Sequence, residues 1–190
     1  MTRSRQTADW GSRAGLAKIV PSSVAVGSGT GSANSFGTVS FSGASSVSLN
    51  DVFSTTYQNY RIIITGIGTV NQDFGMRLRV NNSDDSTASS YVYQYINGTS
   101  TTVSALRNTT NLWYVGIIGS TLKSQLELTL AYPFEASPTN FYCSSASGES
   151  SAFIRLSGGT HNQSTSYTGF TIFPASGTMT GEVSVYGYTK

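Results

Sequence analysis

The chain has 190 residues, of which 38% are hydrophobic and 11% charged, with a net charge of +2 and one cysteine. That length carries one domain with a real core plus an arm, and the single cysteine excludes an intrachain disulfide framework. The small net charge gives no whole-molecule field that would draw in nucleic acid. Polarity is carried by Ser, Thr, Asn and Gly, while 11 Tyr and 9 Phe supply apolar bulk. Such a composition favours short strands and tight turns over helices. No run approaches the ~20 apolar residues of a membrane span. The N-terminus lacks the apolar stretch of a secretory signal, so synthesis in a cytosol without membrane insertion is expected.

Residues 1–18 carry Arg3, Arg5, Arg13 and Lys18 against Asp9, whereas the remainder holds seven basic and eight acidic residues. The basic character therefore sits in this segment. It reads either as a disordered terminus or as a docking arm, with Trp10 as buried anchor and Arg3, Arg5 and Arg13 on the rim. Trp and Arg carry much of the energy of protein interfaces, which favours the arm. Residues 19–26 read as a short edge strand broken by Pro21, and 27–35 as a Gly/Ser linker. The expected organisation is an arm and linker over 1–35 and a folded domain over 36–190.

The domain begins with an apolar face through Val39, Val47 and Leu49, then a turn at 50–57. The central pair follows. Residues 60–67 have apolar side chains on both faces and predict a well-covered strand. Residues 74–80 alternate Phe74, Met76, Leu78 and Val80 with Gly75, Arg77 and Arg79, the period of a strand with one face to water. A polar loop spans 81–90. Tyr91, Tyr93 and Tyr95 then share one face, before a hairpin turn expected at Asn97–Gly98. Further strands are read at 112–118, 125–132, 141–145, 152–156, 167–173 and 179–188. No amphipathic helix is found. The prediction is an all-β antiparallel sandwich of jelly-roll type, of roughly nine to eleven strands, with an extended N-terminal arm.

Catalytic chemistry finds little footing. His161 is the sole histidine and falls in a Gly-rich stretch without a nucleophile elbow, so an exposed loop histidine is expected. No spacing singles out two carboxylates as a glycosidase pair. With one His and one Cys, the usual zinc sets are unavailable. Asn81 to Asp85 could offer oxygens to a hard cation, but the stretch matches no EF-hand loop and reads as a polar turn. The expectation is a protein that is not an enzyme, with no cofactor or metal. Tyr91, Tyr93 and Tyr95 are candidate surface-binding aromatics, because aromatic platforms bind sugars and proteins. The same residues could instead fill the core.

The run Phe53-Ser-Thr-Thr-Tyr-Gln-Asn-Tyr-Arg-Ile62, then Met76-Arg-Leu-Arg-Val80, then Ser90-Tyr91, resembles small β-rich virion proteins of tailed bacteriophages. So do the opening Arg5-Gln-Thr-Ala-Asp-Trp10 and the ending 177–188. The resemblance implies an externally displayed virion component made in a host cytoplasm. It would be a fibre or tip subunit, docked to capsid or tail proteins through its arm, homo-oligomeric with a trimer as first expectation, and contacting a host surface glycan. The alternatives are a capsid decoration protein and, outside that class, a free carbohydrate-binding module. The resemblance brings no catalytic residues.

Overall fold

The computed structural model describes residues 15–149 and 153–188. In chain order the strands are β1 (Leu16–Ile19), β2 (Ser23–Val26), β3 (Thr30–Ala33), β4 (Thr38–Ala44), β5 (Val47–Asn50), β6 (Asn59–Gly68), β7 (Gln72–Val80) and β8 (Ser83–Asp84). They continue as β9 (Tyr91–Thr99), β10 (Thr102–Thr110), β11 (Trp113–Ile118), β12 (Ser124–Ala131), β13 (Thr139–Ser147), β14 (Phe153–His161), β15 (Gly169–Pro174) and β16 (Met179–Tyr188). All pairings are antiparallel.

Two sheets form. The wide sheet runs β10-β9-β14-β13-β12-β6-β16-β4-β3, with β1 against the C-terminal part of β16; the narrow sheet runs β11-β7-β15-β5-β2, with β8 beside β7. Eight of these strands interleave as β4-β16-β6-β12 facing β5-β15-β7-β11. That order, produced by a chain that crosses repeatedly between the sheets, is a jelly roll, so the expected all-β antiparallel sandwich holds, with sixteen strands among the described residues in place of nine to eleven. The hairpins β9–β10 and β13–β14 are insertions between core strands. Both join the wide sheet on one side and carry it past the narrow one.

The core follows from strand parity. In β6, Tyr60, Ile62 and Ile64 are buried, and the strand sits between β12 and β16, the central position its sequence predicts. β7 turns Phe74, Met76 and Leu78 inward against Trp113, Phe170 and Ile172. Burial of a large apolar side chain contributes roughly 1.5–3 kcal/mol, and this cluster gathers many of them.

Four expectations are corrected. Residues 16–33 are not an arm and linker: β2 is the short edge strand expected beside Pro21, and β1 and β3 are further edge strands on either side of it in the chain, so the sandwich begins well before residue 36. Small residues mislead here. Gly31 sits where a Cβ would lie 2.7 Å from Val26 Cγ2, so the composition serves close packing rather than flexibility. The hairpin turn falls at residues 100–101, with Ser100 at φ 54°, and Asn97 and Gly98 remain inside β9. Arg79 does not face water. The 81–90 loop folds over it, and its guanidinium binds Asn50 Oδ1, Ser48 Oγ, Thr171 Oγ1 and Asp84. His161, finally, is the last residue of β14 and fully buried.

Candidate functional site

Arg3, Arg5, Trp10 and Arg13 lie outside the described residues. The tyrosine ladder is on the core face of β9. Tyr91 is fully buried, edge-on to Trp113 at 5.1 Å; its hydroxyl accepts from the Leu78 amide (3.0 Å) and donates to the Asp85 carbonyl (2.8 Å). Tyr93 is 2% exposed and packs on Tyr114. Tyr95 is half-buried beneath the Arg155 guanidinium, 3.8 Å from the ring centroid. Tyr91 and Tyr93 are thus core residues rather than displayed ones. Alternation places three side chains on one face without saying which face.

His161 lies in a closed polar cluster. The Gln163 amide donates to its Nδ1 (3.2 Å), so the proton of the neutral ring is on Nε2, 3.3 Å from Asp85 Oδ2. The Tyr167 hydroxyl donates to the same carboxylate oxygen. Burial depresses the His161 pKa, with Asp85 opposing. Burial alone would raise that of Asp85, but hydrogen bonds from Thr87 and Tyr167, together with His161, hold it below the usual range. Each polar atom has a partner within the cluster, and the arrangement ties the 81–90 loop to β14 and to the segment before β15. Asp84 pairs with Arg79 and accepts from Thr171 Oγ1, so the two carboxylates of the loop serve different partners rather than converging on one point. Among the described residues no group of three or more His, Cys, Asp or Glu could hold a metal ion.

What the sequence reading missed is on the opposite face of the wide sheet. Register places Ala146, Ile154, Gly98 and Val103 in one row across β13, β14, β9 and β10, and Ser144, Leu156, Ile96 and Ala105 in the next. Tyr142, Gly158, Gln94 and Arg107 form the third. These side chains point away from the core. Ile154 is 56% exposed, Tyr142 55%, Ile96 48%, Leu156 45% and Val103 74%. Gln125 and Glu127 of β12 border the patch, and Arg61 pairs with Glu127 at 2.7 Å. Isolated exposed apolar residues need no explanation, but a contiguous group on one sheet face is the kind of patch that marks interaction surfaces. The signal was present in the alternation of Ile154, Leu156 and Ile96 with polar or glycine neighbours.

Arg155 braces this overhang. It is 2% exposed, pairs with Asp73 (2.8 Å), and donates to Asn97 Oδ1 (2.8 Å) and to the Gly116 carbonyl (3.1 Å). Ser157 Oγ likewise donates to the Val115 carbonyl (2.6 Å), so β14 clasps the edge strand of the narrow sheet.

The molecule is therefore a jelly-roll sandwich whose most prominent exposed feature is an apolar face on an extended sheet. No protein-family model matches the chain, and no curated protein matches it significantly. A solved structure, the binding domain of botulinum neurotoxin serotype G, is similar at a TM-score of 0.25 with 12% identity. The match covers 95% of this chain and 45% of the other, and a likeness that weak carries no argument.

Proposed function

We propose that the protein is a non-enzymatic virion structural protein of a tailed bacteriophage. It is an externally displayed fibre or tip subunit that docks through its N-terminal arm and meets the host surface with the outward face of the wide sheet. The observation that carries this reading is the separation of the two ends of the sheet. The chain enters the sandwich at β1, against β16, while the apolar patch lies beyond β6 and β12, about 20 Å away at the usual strand spacing. A subunit anchored at the first place presents the second. The occupied state of the sole histidine and the sequence resemblance to phage virion proteins support the same reading.

The test is immunogold labelling of particles with antibody against the folded domain, repeated with a chain lacking residues 2–14. Label at the tail or at one vertex, lost on deletion, is expected. Label over the whole head would replace the proposal with a capsid decoration protein. No label on any particle would leave a free carbohydrate-binding module, to be pursued by glycan binding.

A further inference from the structure

Sheet edges expose unpaired amides and carbonyls, and most edges of this molecule are protected. β1, β2 and β3 are four residues each, and β2 follows Pro21. β11 carries a register shift between Tyr114 and Gly116, and Arg155 and Ser157 occupy its carbonyls. Short length, proline, bulges and covering groups are the devices by which natural sheets avoid edge pairing.

Among the described residues, β10 has none of them. It is nine residues long, pairs with β9 in unbroken register from Thr102 to Thr110, and is exposed over nearly its whole length. It contains no proline and a single charge, Arg107. The Thr109 amide donates to Asn108 Oδ1 (2.8 Å), so Thr109 turns its amide away from β9. In an antiparallel ladder alternate residues face the same way. Val103, Ala105 and Arg107 therefore present both N–H and C=O at the free edge, and the Asn108 side chain closes that edge at Thr109.

We propose that β10 pairs antiparallel with β10 of a second copy of this chain, about a two-fold axis at Ala105. An isologous interface must be self-complementary, and this register is. Ala105 meets the partner's Ala105, and Val103 meets the partner's Arg107, giving about six main-chain hydrogen bonds, two for each opposed pair. On the core-side face Leu106, 42% exposed, stands opposite the partner's Ser104 and diagonal to the partner's Leu106. The two arginines lie roughly 13 Å apart along the strands, beyond the screening length of about 8 Å. On the outward face the row Leu156–Ile96–Ala105 continues into its counterpart, so two apolar patches become one.

Sedimentation of the full chain across a concentration series is the experiment, with Ala105→Pro as the disrupting variant. The Ala105 amide makes no bond to β9, so proline there leaves the hairpin ladder intact. A dimer is expected for the parent, and association weakened on the order of a hundredfold for A105P, the loss of two axial hydrogen bonds. A parent that stays monomeric, or an A105P that stays dimeric, overturns the proposal. Ala105→Cys with a short bismaleimide checks the register: the opposed Cα atoms lie about 5.5 Å apart. Thr109→Cys, roughly 26 Å from its own copy, is the control and should not cross-link. Equal cross-linking of the two overturns the axis at Ala105. The native Cys143 is fully buried and does not compete.

Discussion

Arg155→Met is the sharpest probe of how the overhanging sheet is held. Methionine keeps the length of the stem and removes the charged fork. The Gly116 carbonyl, on a buried residue, then loses its donor, at about 1–3 kcal/mol. The ion pair with Asp73 is half open to water, with 34% of the Asp73 side chain exposed, so its share is about 0.5–1 kcal/mol after screening. Loss of the guanidinium over Tyr95 removes about 1 kcal/mol more. Part of the sum returns because the cation no longer needs to be desolvated, and the expected net loss is about 3 kcal/mol. For a domain of this size that lowers Tm by about 6–12 °C. Urea unfolding followed by tryptophan fluorescence reads it, since Trp113 lies in the adjoining core. Adding Asp73→Asn to R155M should cost less than the two separate losses together, because the orphaned carboxylate is gone. A loss for R155M below about 1 kcal/mol would refute the bracing role.

Three further outcomes are expected. As His161 is the sole histidine and its folded pKa is depressed, the unfolded chain takes up a proton near pH 6.5 before the folded one does. Stability should fall as pH drops from about 6.5 to 5.5, and His161→Asn, although less stable at pH 7, should show a flat profile there; parallel profiles would contradict it. Gly159→Ala places a Cβ 2.2 Å from the Val92 carbonyl and 2.8 Å from Tyr93 Cα, backbone that cannot yield, and should cost about 3 kcal/mol in chemical denaturation. Gly158→Ala, whose Cβ meets only the Phe141 carbonyl at 3.4 Å, should be near neutral; equal effects would remove the explanation. Burial pushes the Cys143 thiol up to about 12, so it should resist thiol reagents in the native state and react on unfolding; rapid native labelling would contradict the burial.

The strands that form both walls of the core were legible from one clean apolar face, as in β12 with Leu126, Leu128 and Leu130, or, in the central β6, from apolar residues on both faces. The edges were not. β3 reads Thr-Gly-Ser-Ala, and nothing in that composition separates a narrow edge strand from a linker; only its register with β4 does. β10 carries apolar side chains at Val103 and Leu106 on opposite faces, so it shows no alternation to detect. The burial of His161 depends on Asp85, Tyr167 and Tyr91, which are brought together from three separate segments. The outward patch depends on register across four strands, which local pattern does not specify.

The short pairing of β1 with β16 also has a mechanical side. Leu16 lies opposite Tyr188 and Ile19 opposite Val185, so the preceding chain leaves beside the C-terminal end of β16. Tension on that chain along the strand axis would load the β1 ladder in shear. Its four residues would give way before β16, which β6 and β4 grip along most of its length. Stripping β1 as far as β2 releases about 20 Å of slack while the jelly roll stays closed. A subunit tethered from this side would then have a shock absorber between its anchor and its core, spent in one step and re-formed when the pull relaxes.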